Sequence, residues 1–245
     1  MNNNNKEKYF LGYPCEFEHL CLIYPPKIKD VLTVPNYNAF VHLLTISQED
    51  IEDEYTLKDM DFDTLLTPLE YLLNNAYYVP EVRTIAQDGF KFFLHESVHF
   101  DYINKQIIIG EIESLENLRI IDEDNYLEFQ NEIRLTLGLK PEQLYDENED
   151  PRIKKMKAKA RYRDKVKAKK GKGPDFYSLL TSICCMDMGL NPLNIGELSY
   201  SAFLALVERY QLKESYQLSV DSLLAGADSK KVKPKYWICN LEEEN

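Results

Sequence analysis

The stretch Arg152 to Lys172 sets the strongest limit on what this chain can fold into. Twelve of the 29 basic residues sit in these 21 positions, with a single acid, Asp164, so the stretch carries +11. The remaining 224 residues hold 17 Lys+Arg against 40 Asp+Glu and carry −23. In KKMKAKARYRDKVKAKK, basic residues take almost every second position from Lys155 to Lys169. Alternation suggests a strand, whereas Ala, Lys, Arg and Met are strong helix formers. In a helix, residues two apart lie about 200° apart, so charge surrounds the axis and no broad apolar face is left. Such a segment cannot be a core element. It is expected to be exposed, only partly ordered alone, and ordered by something acidic, either a partner or the chain's own body. It also divides the chain: an α+β part at 1–140 with β-hairpins and packed helices, a charged connector at 141–173, and a smaller all-helical part at 174–245.

With 245 residues, 44% of them hydrophobic, the chain can bury a real core. No run is long and apolar enough to span a bilayer. The start, Met1 to Lys8, is polar and lacks the apolar segment of a secretory signal. The five cysteines (Cys15, Cys21, Cys184, Cys185 and Cys239) are odd in number and form no Cys-x-x-Cys. They read as free thiols of a reducing cytoplasm. The net charge of −12 disfavours nucleic-acid binding by the body of the protein, while a local basic contact stays open.

Local signals place most of the elements. Residues 9–24 read as a β-hairpin closed by Pro25-Pro26, with a short helix over 36–45 and a helix start at Ser47-Gln48-Glu49-Asp50. Thr67, Pro68 and Glu70 form a capping box with Pro at the first helical position. Leu69, Leu72, Leu73, Ala76 and Tyr77 follow on one helical face. After Pro80, Val82, Ile85, Ala86, Gly89, Phe90, Phe93 and Leu94 keep that spacing, predicting a helical hairpin. Alternation from Val98 and the run Gln106 to Gly110 predict a second β-hairpin. Asn125 with Glu128 predicts a capped helix carrying Tyr126, Phe129, Ile133 and Leu137, stopped by Gly138. Beyond the connector, Phe176 to Met188 reads as a buried helix ending at Gly189. Phe203 to Tyr210 marks another, and Ser219 to Ala225 a short last one.

His95-Glu96-Ser97-Val98-His99 matches the His-Glu-x-x-His pattern of zinc hydrolases. That chemistry needs both imidazoles one helical turn apart, with the glutamate on a bound water. Here the helical face fades at Leu94 and strand alternation begins near Val98. On a strand, positions four apart lie about 13 Å apart, too far for one zinc. The longer motif fails at Tyr102 and Lys105, and nothing singles out Glu113 or Glu116 as a third ligand. The expected reading is a helix end followed by a strand, with no metal and no cofactor.

The stretch MGLNPLNIGELSYSAF, from Met188 to Phe203, ends a helix at Gly, turns at Pro192 and starts a new helix at Ser199. It resembles the C-terminal helical motif of phage tail assembly chaperones. DPRIKKMKAKARYRDKVKAKKGKG, LNPLNIGELSY and LLAGADSKKVKPKYW together resemble proteins encoded among the tail genes of phages and prophages of Gram-positive bacteria. The opening YFLGYPCEFEHLCLIYPPKIKDVL is similar to the start of many such chaperones, although this chain is longer than many of them. The resemblance implies a non-enzymatic factor of the bacterial host cytoplasm. Such a factor binds the long helical tape measure protein and gives way to the tail tube protein; homo-oligomers are left open. Candidate partner-binding residues are Arg152, Lys154, Lys155, Lys157, Lys159, Arg161, Arg163, Lys165, Lys167, Lys169 and Lys170 in the basic segment. Met186 and Met188 could line a groove for apolar segments, or be core. The alternatives are a zinc hydrolase at His95, Glu96 and His99, a nucleic-acid binder using 152–172, and a structural virion component.

Overall fold

A computed structural model of the chain describes residues 3–58, 60, 64–111, 118–142, 151–170, 175–186 and 189–238; the side chains of 3, 4, 151, 155, 162 and 164–170 lie outside the description. The acidic run 146–150, residues 171–174, Glu113, Glu116, Met188 and Cys239 lie outside the described residues. The architecture is α+β with a helical C-terminal part. In chain order the elements are α1 (Asn3–Phe10), β1 (Cys15–Phe17), β2 (Cys21–Ile23), α2 (Ile28–Thr33), α3 (Tyr37–Thr45), α4 (Gln48–Leu57), α5 (Pro68–Tyr78) and α6 (Pro80–Leu94). Then come β3 (Val98–Asp101), β4 (Gln106–Ile109), β5 (Arg119–Ile121), α7 (Tyr126–Thr136), α8 (Pro151–Lys170), α9 (Phe176–Cys184) and α10 (Tyr200–Leu224). Among the described residues, no helix is long and apolar enough to cross a membrane.

The capping signals act as read. Ser47 accepts from the Asp50 amide while the Asp50 carboxylate accepts from the Ser47 amide, and Thr67 and Glu70 do the same for α5. These reciprocal bonds satisfy amides that a helix start leaves unpaired. Val79 ends α5 and starts α6, with Pro80 in the first turn. α6 packs on both α5 and α3. Its Phe90 and Phe93 join Phe40 of α3, Phe129 of α7, Ile107 of β4 and Ile23 of β2 in one core. Gly89 permits the close approach of α3: a Cβ there would meet Phe40 Cβ at 2.8 Å and Leu44 Cδ1 at 3.0 Å. An exposed helical Gly→Ala exchange stabilises by about 1 kcal/mol. Here overpacking reverses the sign, and Gly89→Ala is expected to destabilise by about 1–3 kcal/mol. Urea denaturation of the two proteins checks this, and a gain in stability would refute it.

The second hairpin is present, with Val98 opposite Ile109 and Asp101 opposite Gln106. A third strand, β5, pairs with β4, placing Ile108 opposite Ile120. The sequence reading missed it, because Arg119–Ile121 is too short to show alternation. The first hairpin is shorter than expected. Tyr9 and Phe10 close α1, and Gly12 turns the chain at φ +82°. The fully buried Tyr9 donates from its hydroxyl to Glu132 of α7 at 2.9 Å. Asn125 starts α7 but does not cap it with its side chain. Its Oδ1 instead accepts from the Asp122 amide at 3.0 Å.

The helical part differs in two places. α9 ends at Cys184 and buries only Ile183 fully, so it is half-exposed rather than a core helix. The two short helices expected after Ser199 are one helix of 25 residues, α10, because no Gly or Pro interrupts Tyr200 to Leu224. This part is tied to the start of the chain by the backbone. The Ile28 amide donates to Leu198 O at 3.0 Å and the Tyr200 amide to Pro26 O at 2.8 Å. Ser199, which caps α10, also donates its hydroxyl to Phe10 O at 2.9 Å. Lys27 and Lys29 both bond Glu197, at 2.8 and 2.5 Å, and hold its carboxyl down at about 2. Ile28 completes the second core with Ile183, Ile195 and Phe203.

Candidate functional site

The basic stretch is a helix, and α4 supplies the acidic partner. Glu49, Glu52 and Asp53 stand at i, i+3 and i+4 of α4, on one face. Arg161 reaches all three: Nε to Asp53 Oδ1 at 3.1 Å, Nη2 to Glu52 Oε2 at 2.9 Å and Nη1 to Glu49 Oε1 at 3.3 Å. Glu52 and Asp53 are buried under the helix. Burial pulls the Arg161 guanidinium down, but the Glu52 hydrogen bond and the charges of Glu49 and Asp53 outweigh it and raise its pKa. The docking face of α8 is a narrow stripe, Lys154, Ala158 and Arg161, with Ala158 fully buried. Sequence reading missed this stripe because it contains one methyl group and two charged residues.

This changes the standing of the candidate residues. Arg161 and Lys154 face inward and do not belong to an outer binding surface. Arg152, Lys157, Lys159 and Arg163 are exposed on the other sides. The side chains of Lys155, Lys165, Lys167, Lys169 and Lys170 lie outside the described residues, as does Met188. Met186 packs, half-buried, against the cluster of Ile28, Ile183 and Phe203, so it is core.

The His-Glu-x-x-His segment is a helix end and a strand. His95 caps α6 in the left-handed region, φ 58°, and its ring stacks on Tyr24 at 3.9 Å. Glu96 is gripped at both oxygens by Arg119, which also donates to Leu20 O at 3.1 Å. The Arg119 hydrogen bond lowers the Glu96 pKa, which suits an ion pair rather than a proton acceptor. His99 is exposed on β3 opposite Ile108. The motif therefore turns its three residues to three different jobs. Among the described residues, no group of three or more His, Cys, Asp or Glu could hold a metal ion. Burial pushes the Cys21 thiol up to about 12 and raises that of Cys15, so neither is a ready nucleophile near neutral pH.

Two open grooves stand out among the described residues. One, of about 620 Å³, lies where α2 and α3 meet α9 and α10. Val31, Leu32 and Val34 line one side, and Tyr37, Phe176 and Tyr200 complete it. Leu32 is 60% exposed on the rim. Phe176 stacks on Tyr200, with centroids 6.2 Å apart, and Tyr37 meets Tyr200 edge-on at 6.4 Å. The buried Tyr37 hydroxyl has no hydrogen-bond partner among the described residues. The other groove, of about 610 Å³, runs along the far half of α10 between Tyr210, Leu218 and Val232. There Leu218 is exposed. The first groove draws on segments distant in sequence and so was not readable beforehand, whereas the second is formed by α10 and the segment just after it.

No curated protein and no solved structure matches the chain. A family model, that of the YomV second domain, matches residues 166–242, about a third of the chain. YomV is a protein of a Bacillus phage region. The matched stretch runs from the last five residues of α8 through α10 and its return segment, and this similarity associates the chain with phages.

Proposed function

We propose that this phage-associated protein acts in the host cytoplasm as a tail morphogenesis factor, holding another polypeptide by reversible contact with no bond made or broken. In this reading it is a tail assembly chaperone, and its partner is an apolar helical segment of the tape measure protein. The observation that carries the reading is the aromatic groove of Leu32, Tyr37, Phe176 and Tyr200. Its apolar walls suit one or two turns of an amphipathic helix, whose side chains enter at i, i+3 and i+4. The likeness of residues 166–242 to a phage-region domain supports the setting, and the strongly acidic remainder of the chain opposes self-association.

Co-expression with the tape measure protein of the same phage tests this. The two proteins are expected to co-purify, and the tape measure protein to stay soluble only in the presence of this chain. Leu32→Asp places a charge on the exposed rim without touching the core, and is expected to weaken capture by about tenfold or more. Equal aggregation of the tape measure protein with and without the chain would sink the proposal. Undiminished capture by the Leu32→Asp variant would remove the groove from it.

A further inference from the structure

The segment that follows α10 holds a second basic element. Lys230, Lys231, Lys233 and Lys235 stand in six residues, and no acid occurs from Lys230 to Ile238. All four lysines are exposed. The strip is nonetheless ordered, by a turn at Asp228 and a tie to α10 at its far end. Asp228 accepts from the Lys230 amide through its side chain and from the Lys231 and Val232 amides through its carbonyl, at 2.9 to 3.0 Å. Val232 then lies against α10 beside Tyr210 and Leu218. At the other end Arg209 Nη1 donates to Trp237 O at 2.6 Å. Residues 228–237 thus run back along α10, and Pro234 biases Lys233 to extended backbone.

Three aromatic rings close the strip. Tyr236 meets Tyr216 of α10 edge-on at 5.7 Å and Trp237 at 6.4 Å. Tyr236 itself is 57% exposed. The nearby acids of α10 are engaged: Asp221 accepts from Gln217 at 3.0 Å, and Glu214 hydrogen-bonds Tyr210. We propose that this strip binds single-stranded nucleic acid, with Lys230, Lys231 and Lys233 on the phosphates and Tyr236 stacking on a base. The site combines the two parts such binding needs, a run of cations that tracks a backbone and a propped, exposed aromatic ring. An acidic peptide would use the lysines and leave the ring unused. The basic helix α8 lacks this pairing, since Tyr162 is its one aromatic residue.

Trp237 is the sole tryptophan of the chain, so its fluorescence reports on the site directly. Titrating the full chain with a twenty-nucleotide oligothymidine is expected to quench it. The apparent affinity should fall with salt, with a log–log slope of about −0.7 per phosphate contacted. Lys230→Glu, Lys231→Glu and Lys233→Glu together are expected to weaken binding by about a hundredfold. Tyr236→Ala should weaken it by roughly tenfold at an unchanged salt slope. Charge reversal of Lys157, Lys159 and Arg163 on α8 should leave the quenching intact. Three results would overturn the proposal: no quenching by oligothymidine, quenching that survives the triple reversal, or quenching lost with the α8 reversal. A spectral shift produced by phosphatidylglycerol vesicles but not by oligothymidine would also overturn it, and assign the strip to an anionic membrane surface.

Discussion

Phe90→Ala is expected to cost about 3–5 kcal/mol, because the cavity forms where α6 packs against α7 and β3. Phe90 is fully buried. Its ring stacks on Phe129 of α7 at 5.7 Å and lies 6.1 Å from Phe100 of β3. The neighbouring Gly89 brings α3 to the same spot. Little around the ring can collapse inward, since helices pin it on two sides and the sheet on a third. Against a typical total stability of about 5–15 kcal/mol, such a loss leaves the body marginal. Thermal and urea denaturation followed by far-ultraviolet circular dichroism would show the midpoint falling sharply. A loss under about 1 kcal/mol would show that this ring is not the centre of the core.

Arg161→Ala is expected to release α8 while leaving the body folded. One guanidinium holds three carboxylates that otherwise repel each other along α4. Two of them are buried, and removing the cation from a buried pair costs about 3–5 kcal/mol. Concentrated on one helix with little apolar contact, that is a rise of about a hundredfold to several thousandfold in its undocked population. Trypsin reads this out, because the helix is dense in cleavage sites once it leaves α4. Early cuts between 152 and 170 should accelerate by about that factor, with the denaturation midpoint of the rest little changed. Arg163→Ala makes the same charge change at an exposed position and should leave the rate near that of the parent. Equal rates for the two variants would show that the contact with α4 does not hold the helix.

The parts of the fold legible in the sequence are those set by neighbours in the chain. Ser47 with Asp50, Thr67 with Glu70, and Pro80 after Val79 fix helix starts within four residues, and each stands where the residues put it. The Gln106–Ile109 strand was legible because three isoleucines in a row follow a turn. What failed depended on distant partners. Tyr9 lies in α1, not in the hairpin, and its hydroxyl bonds Glu132, 123 residues away. β5 is a strand because β4 offers it an edge. The span Gln211 to Leu218 lacks an apolar rhythm and so read as a break. Its Leu, Lys, Glu and Gln nevertheless favour helix, and nothing stops it before Gly226. For the site, the sequence announced the charge of α8 but not its partner. The match between Arg161 and α4 spans 108 residues and leaves no local trace. The aromatic groove is assembled from α2, α3, α9 and α10, so its residues read individually as ordinary core.

The crossing of Pro26 and Ile28 with Leu198 and Tyr200 bears on how the polypeptide is born. Those early amides and carbonyls take their partners from a region made some 170 residues later, a separation that slows productive closure. During synthesis Ile28 must therefore wait uncovered, while its neighbours toward the amino terminus already pack on α6 and α7, until the ribosome has delivered Ile195, the capping serine and the helix behind it. A nascent chain stalled before that point would itself be a client for the cell's folding machinery.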